Sequence, residues 1–134
     1  MSKTLNRYGK FVDGVTSDAS KDFESYIDSL KRLHEQGCDI ARLDTAFTGL
    51  CSEAGEANDL VKKLKFHGKE YTDEIRQHLI KELGDVSWYW MNACLALGVD
   101  PDDVLERNIE KLESRYPGGK FDIYRSENRS EEDI

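Results

Sequence analysis

Two acidic pairs constrain this chain more than anything else in it: Glu53-Ala-Gly-Glu56 and Glu82-Leu-Gly-Asp85. Each places two carboxylates three residues apart inside a stretch of helical hydrophobic periodicity. On a helix such residues are neighbours, with Cβ atoms roughly 5–6 Å apart. Two such pairs on facing helices bring four carboxylates into one small volume. Like charges that close repel, and a hard divalent cation relieves the repulsion. The pattern therefore predicts paired helices holding Mg²⁺ against something that carries phosphate.

The surrounding periodicity predicts four helices and no trusted strand pair. The first runs from about Ser20 to Gln36, with Phe23, Tyr26, Ile27, Leu30 and Leu33 on one face. Ser17 or Ser20 suits its start and Gly37 its stop. The second begins near Leu43 or Asp44 and ends near Gly68, with a stripe of Phe47, Leu50, Cys51, Ala54, Ala57, Val61 and Leu64. The third follows Thr72, a cap with Asp73 and Glu74 in the first turn, and stops at Gly98. The fourth opens on Asp100 and Pro101 and closes at Pro117-Gly118-Gly119. Residues 1–17, with Gly9 and Gly14, are expected to form an irregular or extended arm. Residues from about 118 to 134 are expected to form a loose polar tail, its base pinned by Phe121, Ile123 and Tyr124. The expectation is one all-α domain over residues 1–134 with a four-helix core at about 20–117. Four short helices bury each other incompletely, so a homodimer or a dimer of dimers is expected.

Charge narrows the partners. A net charge of −8 argues against nucleic acid and anionic membranes, which are bound through clustered Lys and Arg. It permits a small anionic ligand, because bound cations reverse the local charge. Cys38, Cys51 and Cys94 form no CxxC pair, which suits a reducing cytoplasm, and Cys51 and Cys94 read as small core residues. No apolar run is long enough for a transmembrane span.

An isolated E-x-x-E is usually a solvated face. Two features weigh against that here. Both pairs border apolar stripes, and both enclose a glycine, Gly55 and Gly84. A mid-helix glycine costs about 1 kcal/mol relative to alanine. Tolerating it twice suggests close approach by another helix or by a ligand.

The whole pattern, E-x-x-E, then 25 residues, then E-x-x-D, resembles the MazG-like branch of the all-α nucleoside triphosphate pyrophosphatases. Glu82-Leu-Gly-Asp85-Val86 with Trp88-Tyr89-Trp90 looks like that family's third helix, and Arg115-Tyr116-Pro117 like the end of its fourth. The resemblance spans roughly residues 43–117, and the length suits the single-domain versions found in phages. It implies hydrolysis of a nucleoside triphosphate between the α and β phosphates, giving monophosphate and pyrophosphate for nucleotide-pool control. Deoxynucleotides, dGTP or dCTP first, are the substrates to try, in the host cytoplasm if the chain is phage-encoded. Glu53, Glu56, Glu82 and Asp85 are the expected Mg²⁺ ligands, with Mn²⁺ as a substitute. Glu53 or Glu56 is the candidate general base.

Asn108, Lys111 and Arg115 on one side of the fourth helix, Lys63 and Tyr89 are candidate substrate contacts. Many relatives carry Lys where Asn108 stands and Asn where Leu112 stands. His34, His67 and His78 show no metal-ligand spacing, and His67 is the one singled out for substrate contact. A phosphoribosyl-ATP or guanosine-alarmone pyrophosphohydrolase is an alternative of the same class. A di-iron bundle would need two E-x-x-H motifs, which are lacking, and a non-enzymatic helical adaptor with an acidic groove is the remaining alternative.

Overall fold

Cap chemistry sets most of the helix boundaries. The computed structural model describes residues 2–128, and among these every regular element is helical. They are α1 (Lys3–Val15), a 3₁₀ turn (Asp18–Ser20), α2 (Phe23–Glu35), α3 (Ile40–Phe66), α4 (Asp73–Leu97), α5 (Pro101–Arg115) and α6 (Ile123–Glu127). The chain divides into two units, Met1–Ala41 and Arg42–Ile134.

In the first unit, α1 replaces the irregular arm expected over residues 1–17. Its two glycines obscured a stripe in which Leu5, Tyr8, Val12 and Val15 recur at helical spacing. The Ser2 hydroxyl oxygen accepts a hydrogen bond from the Leu5 amide at 3.2 Å and starts the helix. Lys21 ties the following turn back, donating from Nζ to the Asp13 carbonyl at 2.7 Å. Asp22, rather than Ser17 or Ser20, caps α2, accepting from the Ser25 amide at 2.9 Å. Gly37, at φ 83°, ends it, and the Cys38 amide reaches back to the Leu33 carbonyl at 3.0 Å.

In the second unit, α4 and α5 have the expected boundaries. Thr72 Oγ1 accepts from the Ile75 amide, and Gly98, at φ 63°, closes α4 in the left-handed region. Asp100 Oδ1 accepts from the Asp102 amide at 2.9 Å, and Pro101 takes the first turn of α5. α3 begins earlier than expected, at Ile40. The expected loose tail contains α6, capped by Asp122, while its residues 129–134 lie outside the described residues.

α3 and α4 run antiparallel. Gly49 on α3 faces Tyr89 on α4, Glu53 faces Glu82 and Asp85, and Leu60 and Lys63 share a cavity with His78. The buried positions other than Glu82 are mostly small: Ala46 and Gly49 on α3, Ala93 and Cys94 on α4, with Leu60 and Ile75 as the larger members. Small residues let the backbones approach, and at Gly49 an added Cβ would lie 2.1 Å from the Tyr89 ring. The glycines singled out by the acidic pairs behave differently. A Cβ at Gly55 or Gly84 would meet nothing within 4 Å, so no helix of the described chain crowds either one. Cys94 is buried as expected, but Cys51 is exposed, because it lies off the line facing α4. Much of the apolar surface stays uncovered: Phe47, Leu83, Trp88 and Leu95 are each more than half exposed.

Candidate functional site

The antiparallel pairing of α3 and α4 brings the middle of one helix against the middle of the other. Glu53 projects from α3, and Glu82 and Asp85 from successive turns of α4. One carboxylate oxygen from each lies within 4.8 Å of the other two. Their settings differ: Glu82 is buried at 5% exposure, Glu53 is partly buried and Asp85 is exposed. Both members of the second acidic pair and the first member of the other thus converge. Glu56, the fourth expected ligand, is outside this trio. It is exposed and lines an adjoining cavity of about 370 Å³ with Ser52, Gly55, Asp59, Leu60, Lys63, His78 and Glu82.

Crowding of the carboxylates shows in their electrostatics. The Glu53 carboxyl is held above the ordinary glutamate value of 4.5, first by loss of water around it. The negative charges of Glu56, Asp85 and Glu82 add to this, as does a hydrogen bond shared with Glu82. One turn past Glu56, Asp59 has the opposite setting. It pairs with Lys62 at 2.5 Å and Lys63 at 2.6 Å, and these bonds lower its carboxyl to about 2. Across the cavity, His78 Nε2 lies 2.9 Å from Glu82 Oε1.

The donor set fits a small divalent cation. All three converging atoms are carboxylate oxygens, the ligand type that Mg²⁺ and Mn²⁺ prefer. Two oxygens on one Mg²⁺ at about 2.1 Å stand at most about 4.2 Å apart, so modest side-chain rotation closes the trio around an ion. No histidine belongs to the cluster, in contrast to the E-x-x-H ligation of a di-iron bundle.

The other expected contacts fall elsewhere. Lys63 lines the cavity, but Asn108, Lys111, Arg115 and Tyr89 do not, and neither does His67. Asn108 and Lys111 are exposed on α5. Tyr89 packs its ring over Gly49 and meets Trp88 edge-on, with centroids 4.8 Å apart, which gives it a place in helix packing. Among the cavity residues, Ser52, Asp59 and Leu60 escaped the sequence reading, and His78 entered it only as a histidine without metal-ligand spacing. The first two continue the face of α3 that carries Glu56 and Lys63, at positions 52, 56, 59 and 63, and extending the i+3, i+4 rule would have found them. His78 stands four residues before Glu82, the spacing of a helical side-chain pair.

Comparisons with known proteins match the same segment. The model of the MazG nucleotide pyrophosphohydrolase domain matches residues 42–119. The chain is 42% identical over 84 residues to the Gene 37 protein of Mycobacterium phage L5, covering 61% of this chain and 74% of that protein. No solved structure matches significantly. The matched segment holds all but the first two residues of α3, all of α4 and α5, and all the residues of the carboxylate cluster and its cavity. With more than half its length in that match and three carboxylates of its acidic pairs meeting across two helices, the chain belongs to the MazG nucleotide pyrophosphohydrolase family.

Proposed function

We propose that this chain hydrolyses a nucleoside or deoxynucleoside triphosphate between its α and β phosphates, releasing a monophosphate and pyrophosphate, with Mg²⁺ or Mn²⁺ as cofactor. The observation that carries this reading is the meeting of Glu53, Glu82 and Asp85 oxygens within 4.8 Å at the edge of a cavity that also holds a lysine. These three carboxylates would hold the ion. When bound, the ion supplies charge neutralisation at the phosphates and acidification of water.

The chain's own groups divide the remaining work. Glu56 lines the cavity outside the trio, and we assign it the proton of the attacking water. Lys63 faces the same space as a cation for a phosphate oxygen, with Asp59 holding its ammonium in place. Asn108, Lys111 and Arg115 belong to the proposal as contacts made on α5, away from this cavity. The uncovered apolar faces of α3, α4 and α5 support a homodimer or a dimer of dimers. A single domain over residues 1–134 and action on the host nucleotide pool complete the proposal.

Incubation with each common nucleoside triphosphate and Mg²⁺, dGTP and dCTP first, tests it by chromatography of the products. Monophosphate and pyrophosphate are expected. Release of orthophosphate, or no turnover of any nucleotide, would refute the reading.

A further inference from the structure

We propose that His78 is a positioning residue that holds the Glu82 carboxylate in its ion-binding orientation. This rests on the reading of Glu53, Glu82 and Asp85 as ligands of a divalent cation. The side chain of Glu82 is only 7% exposed, so its carboxylate has given up most of its water. A carboxylate buried this far needs hydrogen bonds in place of that water. His78 Nε2 lies 2.9 Å from Oε1, within reach for one.

Helix geometry explains why His78 can do this. Side chains on a helix lean toward its N-terminus, over the residue four positions earlier. Glu82 therefore leans over His78. A carboxylate free to turn about its last torsion aims its lone pairs over a wide arc. A bond to Oε1 fixes the plane of the group and so fixes where the second oxygen points. Imidazole donates from Nε2 both as the neutral tautomer protonated there and as the cation, so the role does not depend on the charge of His78. His78 also lines the cavity, on the helix opposite Glu56 and Lys63.

The sign of the effect on metal affinity separates this role from a simple charge effect. A histidine acting only as a nearby cation would oppose a divalent ion, and its removal would tighten binding. A positioning histidine does the reverse. Partners that orient metal ligands typically contribute 10–100-fold in affinity. The test is titration of the full chain with Mn²⁺ alone, free ion counted by electron paramagnetic resonance, without nucleotide.

His78→Ala is expected to weaken Mn²⁺ binding about tenfold. His78→Gln, whose amide nitrogen can take the place of Nε2, is expected to restore most of the loss. The side chain of His78 is 52% exposed, so its truncation opens no hole in the core, and circular dichroism should report unchanged helix. Binding in His78→Ala equal to or tighter than in the parent chain would overturn the proposal, as would a Gln variant no better than Ala. Glu53→Gln and Asp85→Asn are titrated alongside. If both lose Mn²⁺ while His78→Ala does not, only the role of His78 fails. If neither loses it, the ligand assignment itself fails and takes this proposal with it.

Discussion

Glu53 is the residue on which the crowding of carboxylates converges, and its protonation gives a signed prediction. Its folded value lies above 4.5, so the folded chain keeps that proton to higher pH than the unfolded chain does. Stability of the metal-free protein should therefore fall as pH rises from 4.5 through the raised value, and then level off. Asp59 has the opposite sign: its stabilisation is complete above the ordinary 3.8 and is lost as pH falls through about 2. Thermal melting against pH checks both, and added Mg²⁺ should remove the Glu53 decline by neutralising the cluster. A melting temperature that does not respond to Mg²⁺ once the Glu53 carboxyl has lost its proton would contradict the crowding. Catalysis gives a second prediction at this scale. Glu53→Gln and Asp85→Asn should abolish turnover with helical content intact. Glu56→Gln should lower kcat by about 10²–10⁴-fold, the range of a general base. Lys63→Ala should raise KM more than Lys111→Ala does, since Lys63 lines the cavity and Lys111 does not.

At the scale of the element, the contact between α3 and α4 depends on what is missing from α3. Gly49→Ala places a methyl against the Tyr89 ring and should destabilise the fold by about 1–3 kcal/mol, as overpacking does. Gly55→Ala has open space around it and should raise helix stability by up to about 1 kcal/mol. Chemical denaturation of the two variants gives the comparison, and equal effects would argue against the close approach at Gly49. The cap at Thr72 offers an independent check, since Thr72→Ala should cost about 1 kcal/mol by freeing the Ile75 amide.

For the whole molecule, the uncovered apolar surface has a consequence. No large side chain among the described residues is fully buried, and the helices leave Leu83, Trp88 and Leu95 well over half exposed. Surfaces of that kind on a stable protein are usually covered by another chain. The protein should sediment as a dimer or larger, and Leu83→Glu should shift it toward monomer with a lowered melting temperature. Monomeric behaviour at high concentration would oppose this. No described helix is long and apolar enough to cross a membrane, which agrees with the spread of charge along the chain.

The sequence by itself determined α2, α4 and α5, most of α3, and the identity of the acidic pairs. Those features are local: Thr72, Gly98, Asp100 and Pro101 act on backbone groups within a turn of themselves, and E-x-x-E is a spacing within one helix. It failed where two local signals opposed each other. In α1 the glycines masked an apolar stripe whose periodicity was present all along. Only the tertiary structure decided which carboxylates meet, because that depends on how α3 is set along α4. That register put Glu56 outside the trio, buried Glu82 while leaving Asp85 in water, and gave the close approach to Gly49 rather than to Gly55 or Gly84. Distance and burial across two helices follow from packing of small side chains at a few crossing points, and a linear pattern carries no record of those.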